Sequence, residues 1–188
     1  MDKDAFEDRR RSLEEAFFRK ENLHVLESLR GKRQREAAVR ALREASGILD
    51  EHLLGLFVGV GIDAPSLAAL SLVPLVWVAW ADRGMDRGER EALLEAAAGE
   101  GIEKNTPAYT LLESWIDERP KPALFEAWTA YTQGVVRSLA KDAAELAKQD
   151  VAGRARRIAE ATGGLLGLGS ISNSEKEIIA KIESAFAA

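Results

Sequence analysis

Three carboxylates, Asp82, Asp86 and Glu89, crowd one short turn in the stretch AWADRGMDRGERE, residues 79–91. Oxygen donors at that spacing suit two chemistries. As metal ligands, Asp82, Asp86 and Glu89 would hold a hard divalent cation such as Ca²⁺ or Mg²⁺. As structural groups, they would bond the orphan amides that open a helix. The stretch lacks the alternating ligands and the glycine of an EF-hand loop, and no histidine is near. It does fit a capping box, with Asp86 as N-cap, Glu89 at the third helical position and Met85 before the cap to pack on Leu93 or the stem of Arg90. We therefore expect a structural cap and no cofactor, with Ca²⁺ or Mg²⁺ at this turn as the alternative.

An internal repeat supports the cap. In LGSISNSEKEII, residues 168–179, Ser172 precedes Glu175 by three and Ile171 stands before the cap. At an offset of 86 residues, Met85 matches Ile171, Asp86 matches Ser172 and Glu89 matches Glu175, whereas Asp82 falls opposite Leu168. What recurs is the cap and its apolar flanks. The carboxylate cluster does not.

Other candidate chemistry is thin. His24 and His52 are the only imidazoles, neither beside a recognisable nucleophile elbow, and the chain has no cysteine, which excludes thiolate chemistry and disulfides. The glycine-rich GVGI and GGLLGLGS follow no strand and precede no Gly-Lys-Ser/Thr, so neither reads as a phosphate loop. Trp77 and Trp80 share one helix face, and Trp115, Trp128 and Tyr131 are expected to cluster in the core, with a ligand cavity among them as the alternative. No nucleophile–base pair or cofactor loop points to an enzyme.

The positioning elements read as helices throughout. With 188 residues, 46% apolar and 30% charged, the chain can bury a core, and no useful run of period two appears. A charged helix is expected over 3–30, with a break near Asn22 and an end at Gly31, then a second ending at Gly47. Asp50 caps the next helix, which closes on Gly61. Asp63 caps another with Pro65 in its first turn, and Pro74 opens one after a bend that moves Val73 out of the helical region. Later helices fall at about 86–99, 106–118, 122–149, 151–166 and 172–187. The uncharged run of eighteen residues, 64–81, sits at the spanning threshold, but its two prolines and acidic flanks favour a buried core hairpin over a transmembrane span.

Charge divides the chain in two. Residues 1–45 hold 12 bases against 10 acids, and residues 46–188 hold 14 against 21, within a net charge of −5 that argues against nucleic acid. We read 1–45 as an N-terminal charged amphipathic helical arm and 46–188 as an α-helical body. The arm's Phe6, Arg9, Arg10, Leu13, Phe17 and Phe18 are the candidate contacts for a protein partner, either a separate protein or a second copy in a homo-oligomer, with packing of the arm on its own bundle as the equal alternative. The charged N-terminus has no apolar run of a secretory signal, and with the absence of cysteine this suits a cytoplasmic chain.

Two resemblances add expectations. Residues 74–102, PLVWVAWADRGMDRGEREALLEAAAGEGI, resemble the signature of the TerB-like family associated with tellurite resistance, with Asp82, Met85 and Glu89 on pattern and Arg83 in place of the usual glycine. The likeness extends to the degenerate repeat at 165–187. It implies a compact all-α TerB-like helical bundle and a non-catalytic, stress-related interaction or regulatory scaffold, metal-linked and peripheral to the membrane in its alternative form. Arg83 sets a cation in the turn, at odds with an acidic ion site. Residues 6–33 are similar to the opening of the zeta-type inhibitor subunit of bacterial ATP synthases, with Phe6, Asp8, Arg9, Glu14 and Phe17 on pattern. That implies an inhibitor-like subunit of a multi-subunit, membrane-associated complex.

Overall fold

A computed structural model describes residues 3–82, 84–161 and 171–187, with side chains described from Lys20 onward. The described residues form eight α-helices and one 3₁₀ segment, with no strand. The helices are α1 (Lys3–Ser46), α2 (Glu51–Gly59), α3 (Val73–Ala79), α4 (Arg87–Gly99), α5 (Pro107–Asp117), α6 (Pro122–Val136), α7 (Lys141–Ala161) and α8 (Asn173–Ser184); the 3₁₀ segment, Leu67–Leu72, leads into α3. The all-α bundle expected from periodicity is what forms.

Helix α3 is the axis of the body. Its seven residues, VPLVWVA, are all buried except Trp77, and it packs against α4, α6, α7, α8 and the 3₁₀ segment. A helix that is apolar on every side needs neighbours on every side. This uses up the long uncharged run, and among the described residues no helix is long and apolar enough to cross a membrane. Helix α7 reaches α3 closely because its buried face carries Ala152, Ala155 and Ala159 with Ile158, and small side chains let two helix axes approach. The aromatic rings close one flank: Trp77 stacks on Phe125 at 5.2 Å, Phe125 on Trp128 at 5.3 Å, and Phe186 meets Trp128 edge-on at 6.3 Å. Tyr131 pairs with Phe57 instead of joining Trp115, whose carbonyl accepts the Trp80 indole N–H at 2.8 Å.

Several helix ends differ from the expectation, each for a local reason. Gly31 does not end a helix: α1 runs through it unbroken to Ser46, because strong helix formers flank it and one interior glycine costs only about 1 kcal/mol. The true stop is Gly47, whose φ of +70° suits a residue without a Cβ. Val73 stays helical (φ −52°, ψ −48°), because the winding changes there from 3₁₀ to α and the N–H missing from Pro74 falls in a first turn that has no acceptor for it. The expected helix 122–149 is cut at 137–140, just after Gly134 and two β-branched valines, where the Ser138 hydroxyl bonds back to Val135 O at 2.7 Å. Helix α7 then runs straight through residue 150, where a break was expected.

The arm and the body are not cleanly separate at residue 45. Leu42 is fully buried in the common core and Val39 packs beside it, so the last turns of α1 belong to the body. From Lys20 to Ala37 every residue is exposed.

Continuity of α1 through Gly31 gives a direct check. A Cβ at Gly31 would meet nothing within 4 Å, so Gly31→Ala should slow amide exchange in the flanking turns by about two- to fivefold. Faster exchange would mean the chain turns there.

Candidate functional site

The acidic turn is built from two helix starts that face each other. Asp86 leaves α3's exit loop in an extended conformation (ψ 179°), which frees its carboxylate to turn onto α4. Its Oδ1 accepts from Glu89 N at 2.9 Å, and Glu89 Oε2 accepts from Asp86 N at 2.9 Å. Ser172 repeats the arrangement at α8: its Oγ accepts from Glu175 N at 3.2 Å, and Glu175 Oε2 accepts from Ser172 N at 2.6 Å. Both capping boxes expected from the repeat are present.

Sequence reasoning missed the link between them. The Ser172 hydroxyl donates to Asp82 Oδ1 at 3.2 Å across ninety residues of chain. One hydroxyl thus accepts at its own helix and donates to the other turn, so Asp82 bridges the two halves. The offset of 86 residues was the available signal, since two matched caps in one bundle invite a shared junction.

Glu89 and Glu175 are only 3% and 4% exposed, unusual for carboxylates. Burial pushes the Glu89 carboxyl up to about 7; the Asp86 N–H bond opposes this, and the nearby charges of Asp86, Glu175 and Asp82 add to it. The described arginines of this turn are engaged elsewhere, Arg87 with Glu91 at 2.8 Å and Arg90 with Asp117 at 2.9 Å. Arg83, the expected cation in the turn, lies outside the described residues. Asp82, Asp86 and Glu89 therefore share one junction, but each holds a protein N–H or O–H. Among the described residues, no group of three or more His, Asp or Glu side chains is placed to hold a metal ion.

Gly88 shows how tightly the junction is drawn. A Cβ there would stand 2.8 Å from Ala161 O, at the end of α7. The positive end of α4 rests on the negative end of α7, a favourable alignment of helix dipoles.

A second candidate is a crevice of about 560 Å³ between the end of α1, the 3₁₀ segment, α6 and α7, lined by Leu67, Trp128, Tyr131, Val151 and Phe186. Of the aromatic residues considered for a cavity, Trp128 and Tyr131 reach it, whereas Trp77, Trp80 and Trp115 do not. Its one cationic lining residue, Arg154, bonds Glu100 and lies 3.1 Å from Asp150 Oδ2. That charge is already answered within the protein.

The third is the arm. Leu23, Val25, Leu26 and Leu29 are exposed by 60, 47, 50 and 49% on a helix whose principal neighbour is α2. Its foot is held by Arg35 Nη2 donating to Gly55 O at 3.1 Å and by Arg43 with Glu51 at 2.7 Å. Phe6, Arg9, Arg10, Leu13, Phe17 and Phe18 fall within α1, and their side chains lie outside the described ones.

Two variants test the junction. Gly88→Ala should cost about 1–3 kcal/mol in urea unfolding, since backbone must shift to admit the methyl; an unchanged midpoint would mean the helices do not meet as described. For Glu89, a folded pKa of about 7 against an ordinary 4.5 means the folded state keeps the proton longer. Its contribution to stability is full below pH 4.5 and is lost as pH rises through 7. Stability of Glu89→Gln relative to wild type should accordingly improve over that window, and a difference of opposite slope would contradict the burial of this group. No family model, curated protein or solved structure matches the chain.

Proposed function

We propose that this protein is a non-catalytic interaction scaffold of TerB-like type, acting in the cytoplasm, whose N-terminal helix binds a protein partner. The observation that carries this reading is the exposed stretch Lys20–Ala37, with four large apolar side chains half in water. From Lys3 to Ala37 a helix extends about 50 Å. A helix of that length gains little from propensity alone, and most helices are held by packing of an apolar face. The arm is therefore best understood as half of an interface, and its long reach suits capture of another helix. Of the residues on the TerB-like pattern, Asp82 and Glu89 are both spent on joining helices, Asp82 by accepting from Ser172 and Glu89 by accepting from Asp86 N.

The packing of α1 dictates the experiment. Removing residues 1–45 would strip Leu42 from the core and Arg35 from Gly55 O, so the truncation should end at Gly31. A chain starting at Lys32 should keep its melting temperature while losing, in affinity capture, a partner retained by the full chain, and Leu26→Glu with Leu29→Glu should lose the same partner. Capture that survives both changes would exclude the arm as the contact.

A further inference from the structure

We infer that the crevice between the end of α1, the 3₁₀ segment, α6 and α7 binds a small uncharged molecule with a mostly apolar body and one oxygen acceptor. The site goes beyond the reading of the arm and does not depend on what the arm binds. Its volume of about 560 Å³ lies in the range of small-molecule sites, and Leu67, Trp128, Val136, Val151 and Phe186 give it aliphatic and aromatic walls. Leu139 also lines it and is exposed, so its mouth is apolar.

Two polar groups on those walls lack the partners that burial normally demands. Trp128 is 4% exposed and Thr132 6%, and they stand one turn apart on α6. A helical serine or threonine commonly returns its hydroxyl to the carbonyl three or four residues back. Ser46 and Ser71, on the same crevice, do so, to Leu42 O at 2.6 Å and Ala68 O at 3.0 Å. The Thr132 hydroxyl bonds nothing among the described residues. The indoles show the same contrast: Trp80 donates to Trp115 O at 2.8 Å, whereas the more buried Trp128 N–H meets no acceptor among the described residues. A buried tryptophan N–H usually finds one. Among the described side chains below the surface, Arg43 Nε and Arg154 Nε alone are sealed from water without an aligned acceptor. The Thr132 and Trp128 groups therefore open to free space, and the crevice is the space that both residues line.

The remaining polar groups set the chemistry of the occupant. Arg154, the one cationic lining residue, bonds Glu100, and Asp150 Oδ2 stands 3.1 Å from its Nε. An anionic head would have to break that pairing, and a cationic one would find only Glu100, which the same arginine already holds. An indole N–H can only donate, while a hydroxyl can donate or accept. Together they ask for a carbonyl or hydroxyl oxygen. The rings of Trp128, Tyr131 and Phe186 favour a flat body beside it. An uncharged aromatic ketone meets each of these demands.

Ligand-observed NMR with the full chain tests the inference, using 2-acetylnaphthalene as the probe. Binding is expected at about 100 μM. Ala147→Phe sets a ring into the crevice from a partly buried position on α7, and should weaken binding by about tenfold or more. Thr132→Val keeps the shape and removes the hydroxyl. It should weaken the ketone about two- to tenfold and leave 2-ethylnaphthalene, which has no oxygen, unaffected. The carboxylate 2-naphthoate should bind about tenfold more weakly than the ketone. If Ala147→Phe does not fold, Thr132→Val carries the test by itself. No binding of the ketone at about 1 mM overturns the inference. So does binding that survives Ala147→Phe, a ketone indifferent to Thr132→Val, or a carboxylate bound as tightly as the ketone.

Discussion

One shared hydroxyl organises the junction on which the body depends. Ser172 caps α8 with its oxygen and gives its proton to Asp82, so the exit of α3 is tied to the start of α8. Around this bond stand two reciprocal capping boxes, each satisfying two amides that helix geometry leaves unpaired. The α3–α4 hairpin and the α7–α8 hairpin then meet at their ends as well as along their faces. Gly88 against Ala161 O is the mark of how little space remains.

The burial of Glu89 and Glu175 follows from that closeness. A capping glutamate usually lies on a surface, where water solvates its second oxygen. Here the two helix starts enclose both carboxylates, and Glu89 responds by holding its proton toward neutrality. A protonated carboxyl still accepts the Asp86 N–H, so the cap persists while the repulsion of Glu89 by Asp86, Glu175 and Asp82 is relieved. The acids of this turn are thus explained by helix joining.

How much of this was legible in the sequence depends on the range of the interaction. Both caps and the Gly47 stop were readable, because N-cap chemistry and a positive φ are decided within four residues. The bend before α3 was placed correctly but its conformation was not, since local steric rules for the residue before proline yield to a 3₁₀ entry. Gly31 misled because propensity is a weak prior inside a long helix of good formers. The split between α6 and α7 was invisible without Gly or Pro at 137–140, and the Asp82–Ser172 bond needs two segments brought together by the whole fold. Along the arm every residue from Lys20 to Ala37 is exposed, while the aromatic contacts expected nearer the N-terminus lie among side chains that are not described.

The acidic junction holds the body together, and the proposed recognition falls to the exposed stretch of α1, Lys20–Ala37. The most direct measurement is a double-mutant cycle on Asp82→Ala and Ser172→Ala, read by urea unfolding with and without millimolar Ca²⁺ or Mg²⁺. The account predicts a coupling of about 0.5–1 kcal/mol that is the same in either buffer. Additive effects of the two substitutions, together with a cation-dependent stabilisation lost in Asp82→Ala, would show that the turn is an ion site and contradict it.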